Sequence, residues 1–257
     1  MGAIGTGIGA PFLEHISVGE VITIIPPDPG DIIIVPNTLT LVLPVPSGVI
    51  ENDMLIALIS TDANPTLTLP AGWTAEDDIG GTAKSFIDRR LSPGGEPATY
   101  TWTLDGAEDA IGAIIRFINV DPDDPINAKV ENNGNGAVIN VPAITTTVDN
   151  AMLLTLISLN DGVLIDPASL RANRQNVLWL VNSSGAALGS VGSSASYYTL
   201  KKAGTHAAYT LGTLGAVVTD YYIIQIALAP DIDILYILLD TNSNKLRDSD
   251  NVQLVAE

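Results

Sequence analysis

The stretch "ENDMLIALIS" (Glu51–Ser60) returns in the second half of the chain as "VDNAMLLTLIS" (Val148–Ser158). Met54 and Met152 are 98 residues apart. At the same spacing four further pairs are identical: Leu55 and Leu153, Leu58 and Leu156, Ile59 and Ile157, Ser60 and Ser158. Self-similarity at a fixed spacing indicates that the same structural element occurs twice.

The similarity continues downstream in the same order. "TYTWTL" (Thr99–Leu104) corresponds to "AYTLGT" (Ala208–Thr213), and "AIIRFINV" corresponds to "YIIQIALA", both at a spacing of 109 residues. The growth from 98 to 109 predicts one loop insertion, which we place in the Gly/Ser-rich Asn182–Ser196. We therefore predict an internal duplication with two units, residues 38–131 and 136–230. Chance similarity between apolar strands is the alternative. Two copies are too few for a solenoid, which needs about three.

The segments within each unit have the patterns of short β-strands. In "TYTWTL" the residues Tyr100, Trp102 and Leu104 alternate with threonines, which is typical of a strand with one wet face. The Asn-Gly steps in "NNGNGAVINVP" supply the positive φ that tight turns require. The fold class predicted is therefore all-β, with two tandem antiparallel, jelly-roll-like β-sandwich units and extended N- and C-terminal arms.

Several strands are apolar on both faces, which is typical of strands covered on both sides. They are Met54–Ile59, Ala113–Ile118, Met152–Ile157 and Tyr222–Leu228. We expect the other unit, or a neighbouring subunit, to cover their outer faces. The alternative is that β-branched residues suit strands in any position.

Composition narrows the classes of partner. The chain has 257 residues, 46% of them hydrophobic but only 16% charged, and its net charge is −18. About 25% charged residues is typical, so we expect apolar surface to be covered by a second domain, in an oligomer or in a larger assembly. The negative charge disfavours binding to nucleic acid or to anionic membranes. No apolar stretch approaches the ~20 residues of a membrane span, and the N-terminus lacks the pattern of a signal peptide.

Two segments, residues 1–37 and 231–257, lie outside the repeat and form the predicted arms. Each has apolar β-runs that it cannot bury alone, so we expect these runs to add to a sheet edge. The alternatives are edge strands of the same molecule and a clasp on another subunit. The predicted partner-binding residues are Val21, Ile22, Ile24, Ile32, Ile33, Ile34, Ile234, Leu235 and Leu238.

No motif indicates catalysis or a cofactor. Cysteine is absent, and the two histidines, His15 and His206, have no partners at catalytic spacing; we interpret both as exposed turn residues. We therefore predict a protein that is not an enzyme and holds no cofactor. One weak calcium motif lies in "DTNSNKLRDSD", where Asp240, Asn242 and Asn244 have the spacing of a calcium loop. Lys245 stands where such a loop needs glycine, which favours a turn.

Exposed aromatic residues could bind sugars, and the chain has three tryptophans. Trp102 belongs to the alternating face that includes Tyr100, which favours the core. Trp73 follows "PAG" in a loop, where a role in capping the core is favoured over a sugar platform.

Four runs of the first unit carry a family resemblance: "VPSGVIENDMLIALIS", "LPAGWTAEDD", "SPGGEPATYTWTL" and "AIIRFINVDPDDPIN". They resemble the patterns P-x-G-V-x-x-G-D-x-L-L, P-x-G-W-T, G-E-P-x-x-Y-x-W/F-T and G-V-D-P-x-x-P-I of tailed-phage and prophage structural proteins. Asn52 and Asn119 replace two of the glycines. The resemblance covers residues 40–130 closely and 136–230 loosely, and its motifs mark strands and turns rather than a site.

The resemblance implies a non-enzymatic structural component of a bacteriophage virion, assembled in the host cytoplasm. Within that class a capsid decoration (cement) protein is favoured. Its expected partners are copies of itself, in a homo-oligomer, and major capsid or tail proteins. The alternatives are a tail or fibre protein and a carbohydrate-binding or adhesin module.

Overall fold

A computed structural model describes residues 21–183 and 189–231, together with four two-residue strands nearer the termini. The chain divides into two compact units. One unit, here called the body, is Val21–Asp231. The other combines Met1–Glu20 with Ile232–Glu257. In this second unit Glu14–His15 pairs with Tyr236–Ile237, and Leu246–Arg247 pairs with Gln253–Leu254, both antiparallel.

The described residues are almost entirely β-structure. In chain order the strands are β1 (Glu14–His15), β2 (Thr23–Ile25), β3 (Ile33–Pro44), β4 (Met54–Asp62), β5 (Leu67–Thr68), β6 (Thr74–Gly80), β7 (Ala83–Leu91), β8 (Thr99–Ile118), β9 (Ile126–Gly136), β10 (Val138–Val141), β11 (Ile144–Thr146), β12 (Ala151–Asn160), β13 (Asn176–Asn182), β14 (Val191–Leu200), β15 (Gly204–His206), β16 (Tyr209–Gly212), β17 (Thr219–Leu228), β18 (Tyr236–Ile237), β19 (Leu246–Arg247) and β20 (Gln253–Leu254). Helix α1 (Pro167–Ala172) and two 3-10 turns, Pro29–Asp31 and Leu214–Ala216, complete the list.

The first half of the body, β2 to β8, is organised around the twenty-residue strand β8. Its C-terminal part lies in a sheet of order β2-β8-β4-β7-β6. Its N-terminal part pairs with the end of β3 and with β5, in a second layer. Leu41, Leu43 and Trp102 of that layer pack against the inner face of β4. The first half is therefore an antiparallel sandwich, as the alternation of "TYTWTL" predicted.

The second half, β9 to β17, has a five-stranded sheet of order β13-β14-β12-β17-β9. The two-stranded sheet β10-β16 covers part of it, and Val141, Leu159 and Leu211 belong to the core between these layers. When β4 is matched with β12 and β8 with β17, the order of strands in the two large sheets is the same. The all-β, antiparallel class is thus confirmed, whereas the duplication stays a prediction.

A third apolar layer lies between the halves. Met54, Ile56 and Leu58 from β4 pack in one cluster with Leu154 and Leu156 from β12. All nine residues of β4 are buried. The apolar pattern of these strands is therefore explained within one chain, because each half covers the outer face of the other half's sheet.

The predicted position of the insertion is right only in part. Residues 63–73 separate β4 from β6, and residues 161–175 separate β12 from β13 in the second half. The β6–β7 turn is residues 81–82, whereas 183–190 join β13 to β14. The extra residues therefore fall in two connections, one of them carrying α1. Ser193–Ser196, part of the predicted loop, lie inside β14, because small residues fit its buried face.

Candidate functional site

The two serines of the repeated stretch meet at the centre of the body. Ser158 Oγ lies 2.7 Å from Ser60 Oγ. Ser60 also bonds Ser193 at 2.9 Å, and Ser158 bonds Ser85 at 2.7 Å. Ser85 is the ladder partner of Ser60, and Ser193 is the ladder partner of Ser158. The bonding pattern is therefore unchanged when the two halves are exchanged. We call these four residues the serine cluster.

The serine cluster fixes how the halves meet. All four side chains are buried. Their other partners are the carbonyls of Tyr222 and Lys84 and the indole of Trp179, so each hydroxyl is satisfied. A satisfied polar network inside an apolar layer favours one register over all others. None of these partners is a base that could activate a serine, so the arrangement indicates a structural role.

Buried carboxyl groups are the nearest approach to acid–base chemistry in the described part of the chain. Asp88 is 2% exposed and accepts a bond from Trp102 Nε1 at 2.8 Å. Burial raises its pKa to about 7, against the opposing effect of the indole. Burial likewise raises the pKa of Asp62 to about 6, although Asp62 accepts from the Asp109 amide. Glu131 is exposed, and a hydrogen bond with Asp77 raises its pKa to about 7.

Three carboxyl groups of the first half lie around one cavity. Asp77, Asp78 and Asp88 line one cavity of about 130 Å³, beside Lys84, which pairs with Asp78 at 2.6 Å. Asp88 also accepts the hydrogen bond of the Trp102 indole, which fixes the orientation of its carboxylate. No group of three or more potential metal ligands occurs among the described residues. The calcium candidates Asp240, Asn242 and Asn244 lie outside that part of the chain.

The predicted partner-binding residues do not form one surface. Val21 and Ile34 are exposed, whereas Ile22 is 3% exposed and belongs to the core between the halves. Ile24, Ile32 and Ile33 are half-buried and pack against the core. The remaining three, Ile234, Leu235 and Leu238, lie outside the described residues.

The boundary predicted for the N-terminal arm runs through folded structure. Thr23–Ile25 and Ile33–Val35 both pair with β8, so residues from Val21 onward belong to the body. These two runs are therefore strands of the same molecule, which is the first of the two alternatives given for the arms. A truncation that spares the body must end before Val21.

Trp102 lies in the core, as the alternating pattern predicted, and Trp73 packs against it, as its position after "PAG" predicted. Trp102 is 0% exposed and Trp73 is 8% exposed. Their rings meet edge to face with centroids 4.9 Å apart, and Tyr100 adds a third ring 5.3 Å from Trp73. Neither tryptophan can serve as a surface platform for sugars.

His206 is not the exposed turn residue that we predicted. It ends β15, pairs with Ile144, and lies between the rings of Tyr198 and Tyr209, at centroid distances of 5.1 and 5.8 Å. Its Nδ1 atom is buried and has no hydrogen-bond partner in the described part of the chain. The short run "THAAY" gave no periodic signal, so the sequence could not place the imidazole between two strands. His15 lies in β1.

The outer edges of the two large sheets differ in charge. The edge strand β6 has the sequence "TAEDDIG", with three carboxylates, whereas the edge strand β13 reads "NVLWLVN" and has no charge. Charges on an edge oppose pairing with another chain. Val177 on β13 is 43% exposed, and one bulge lies between Val177 and Trp179. Of these two edges, that of β13 lacks the charges that oppose strand addition, whereas its bulge acts against such pairing.

No protein-family model, no curated protein and no solved structure matches this chain. Within the described residues, no helix has both the length and the apolar character needed to cross a membrane.

Proposed function

We propose that the chain is a non-enzymatic structural component of a bacteriophage particle, and specifically a decoration (cement) protein on the capsid. The observation that carries the proposal is the uncharged outer edge of β13 on a body whose central strands are all covered internally. The sequence resemblance to tailed-phage structural modules gives this architecture its context.

The packing of the body supports a mechanical role. Two sandwiches share one apolar layer, and the serine cluster fixes their register. Interiors packed in this way have low compressibility and transmit force. A body of this kind keeps its shape when neighbours pull on it, which a protein that reinforces a shell requires.

The edge of β13 supports the mode of attachment. In the order of its sheet, β13 pairs only with β14 among the described strands. Its outer N–H and C=O groups can therefore pair with a strand from a neighbour, and backbone bonds of that kind supply affinity in strand addition. The acidic edge of β6 is protected from the same reaction, so the attachment would occur on one side.

The test is rebinding to particles of the encoding phage from which the protein has been stripped. Val177→Lys places a charge on the β13 edge, and Val42→Lys places the same charge on an equally exposed valine, 43% in both cases, in the outer layer of the first half. We expect the first variant to lose rebinding by at least tenfold and the second to rebind like the parent chain.

Equal rebinding of both variants would show that the β13 edge is not the site of attachment. Failure of the unmodified chain to bind stripped particles would contradict the proposed role as a decoration protein. Unfolding curves of both variants serve as the control, since both substitutions lie on exposed positions and should leave the midpoint nearly unchanged.

A further inference from the structure

A cleft in the second half of the body has the features of a small-molecule site. It has a volume of about 300 Å³. Asn173 and Arg174, which follow α1, line one part of it, and Tyr198, His206 and Tyr209 line another. We call these five residues the tyrosine–histidine cleft. Ligand sites are typically concave, of ~300–1,000 Å³, with aromatic walls and a few polar groups.

The aromatic side of the cleft presents ring surfaces at steep angles to one another. Tyr198 and His206 meet at 61°, and His206 and Tyr209 meet at 78°. Such an angular wall suits a compact, non-planar ring better than it suits a flat base. Aromatic side chains with polar tips combine apolar contact with hydrogen bonding.

The polar groups of the cleft other than Arg174 leave little bonding capacity for a ligand. His206 Nδ1 is buried, and a ligand in the cleft does not reach it. The Asn173 amide nitrogen is occupied by the carbonyls of Ser169 and Thr210. Burial lowers the pKa of His206 from its ordinary value, against the opposing effect of a hydrogen bond with the Ala207 backbone, which favours the neutral imidazole.

The charge of the cleft is opposite to that of the rest of the chain. Three other cavities of the body are each lined by carboxylates, for example Glu76, Asp88 and Asp53. The tyrosine–histidine cleft has no carboxylate in its lining and has one guanidinium, that of Arg174. Six of the lysines and arginines in the described chain form ion pairs: Lys84, Arg89, Arg90, Arg116, Lys129 and Lys202. Arg174 is not among them.

We propose that the tyrosine–histidine cleft binds an acidic sugar residue, a pyranose that carries a carboxylate. Arg174 pairs with the carboxylate, for which a guanidinium offers two parallel donors. The rings of Tyr198 and Tyr209 contact the C–H face of the pyranose. A neutral sugar would leave Arg174 unpaired, so the cleft should bind an acidic sugar more tightly than its neutral counterpart. The proposal is independent of the proposed place in a particle.

The experiment is saturation-transfer NMR and calorimetric titration of the full chain with glucuronate, galacturonate and N-acetylneuraminate. Glucose, galactose and inorganic phosphate are the comparison probes. We expect at least one acidic sugar to bind with a Kd of about 1 mM, which corresponds to ~4 kcal/mol. Binding of its neutral counterpart and of phosphate should be at least tenfold weaker.

Two matched variants locate the site. Arg174→Gln removes the guanidinium from the cleft and should weaken the acidic sugar at least tenfold. Arg171→Gln removes another exposed arginine, in α1, that does not line the cleft, and should bind like the parent chain. The proposal is overturned if no acidic sugar binds at ~10 mM, if neutral sugar or phosphate binds equally well, or if Arg174→Gln retains full affinity.

Discussion

The two halves of the body have the same order of strands in their large sheets but differ in the chemistry of their buried polar groups. In the first half Arg116 Nε bonds Asp53 Oδ2 at 2.7 Å, and Trp102 bonds Asp88. In the second half Gln225 Nε2 bonds Thr155 Oγ1 at 3.0 Å, and Trp179 bonds Ser193. Arg116 and Gln225 occupy equivalent positions of the repeat, so an ion pair in the first half stands where the second half has a neutral hydrogen bond.

This difference makes it possible to study strand order and the effects of buried charge separately in one protein. The strand order is common to both halves, so it does not depend on buried charge. The response to pH and to loss of one polar partner does depend on charge, because an unpaired buried ion costs several kcal/mol. We therefore expect a change of pH, or the loss of one polar partner, to alter stability strongly through the first half and weakly through the second half.

The largest contrast is expected from removing one polar partner in each half. Arg116→Met leaves Asp53, whose side chain is 3% exposed, without its cation. We expect a loss of about 4 kcal/mol in the free energy of unfolding. Gln225→Met removes one neutral hydrogen bond and an unpartnered Oε1 atom, so it should cost about 1 kcal/mol or less. Urea unfolding of both variants measures the difference, and equal losses would contradict the contrast between the halves.

A smaller contrast is expected in the dependence of stability on pH. The pKa of Asp88 is about 7 in the folded chain, against 3.8 for an ordinary aspartate. Between pH 4 and 7 the folded state therefore holds a proton that the unfolded state has lost, and stability falls as pH rises. Relative to Asp88→Asn, the parent chain should lose on the order of 3 kcal/mol across this window and change little above it.

The matched control for that measurement lies in the second half. Asp88 faces Ala57 across its ladder, and Ser196 faces Thr155 across the corresponding ladder. Ser196→Ala removes a buried polar group that does not titrate. Its stability relative to the parent chain should be constant from pH 4 to 8. A slope in this control, or a flat difference for Asp88→Asn, would contradict the assignment to Asp88.

The smallest effect is expected where the halves meet. Ser60→Ala and Ser158→Ala each remove one member of the serine cluster and leave neighbouring hydroxyls with fewer partners. Each should cost ~1–2 kcal/mol. Because the two hydroxyls bond each other at 2.7 Å, the double variant should cost less than the sum of the single variants. Additive losses in a double-mutant cycle would mean that the cluster does not couple the halves.

The sequence predicted the parts of this structure that depend on local patterns. The double-sided apolar runs at β4 and β12 correctly predicted strands buried on both faces, because burial on two faces removes the usual alternation. The identity of Ser60 and Ser158 was visible as well. Their contact was not, since a repeat does not say which faces meet.

Other features depend on contacts that no local pattern encodes. His206 looked like a turn residue because "AGTHAAY" is rich in small residues, yet tertiary pairing with Ile144 places it between two tyrosines. The predicted boundary of the N-terminal arm was placed at residue 37 because "PPDPG" interrupts the apolar runs before it. Pairing with β8 across about eighty residues decides that boundary instead. The buried acid Asp88 likewise needs Trp102, fourteen positions away, to explain it.

The central claim is that this chain is a stoichiometric part of a phage particle. The most direct test is quantitative mass spectrometry of particles released by the encoding phage and purified on a density gradient, with the major capsid protein as the internal standard. The account predicts that the chain bands with intact particles at a fixed ratio to the capsid protein. Its absence from washed particles, or a ratio that varies with preparation, would contradict the account.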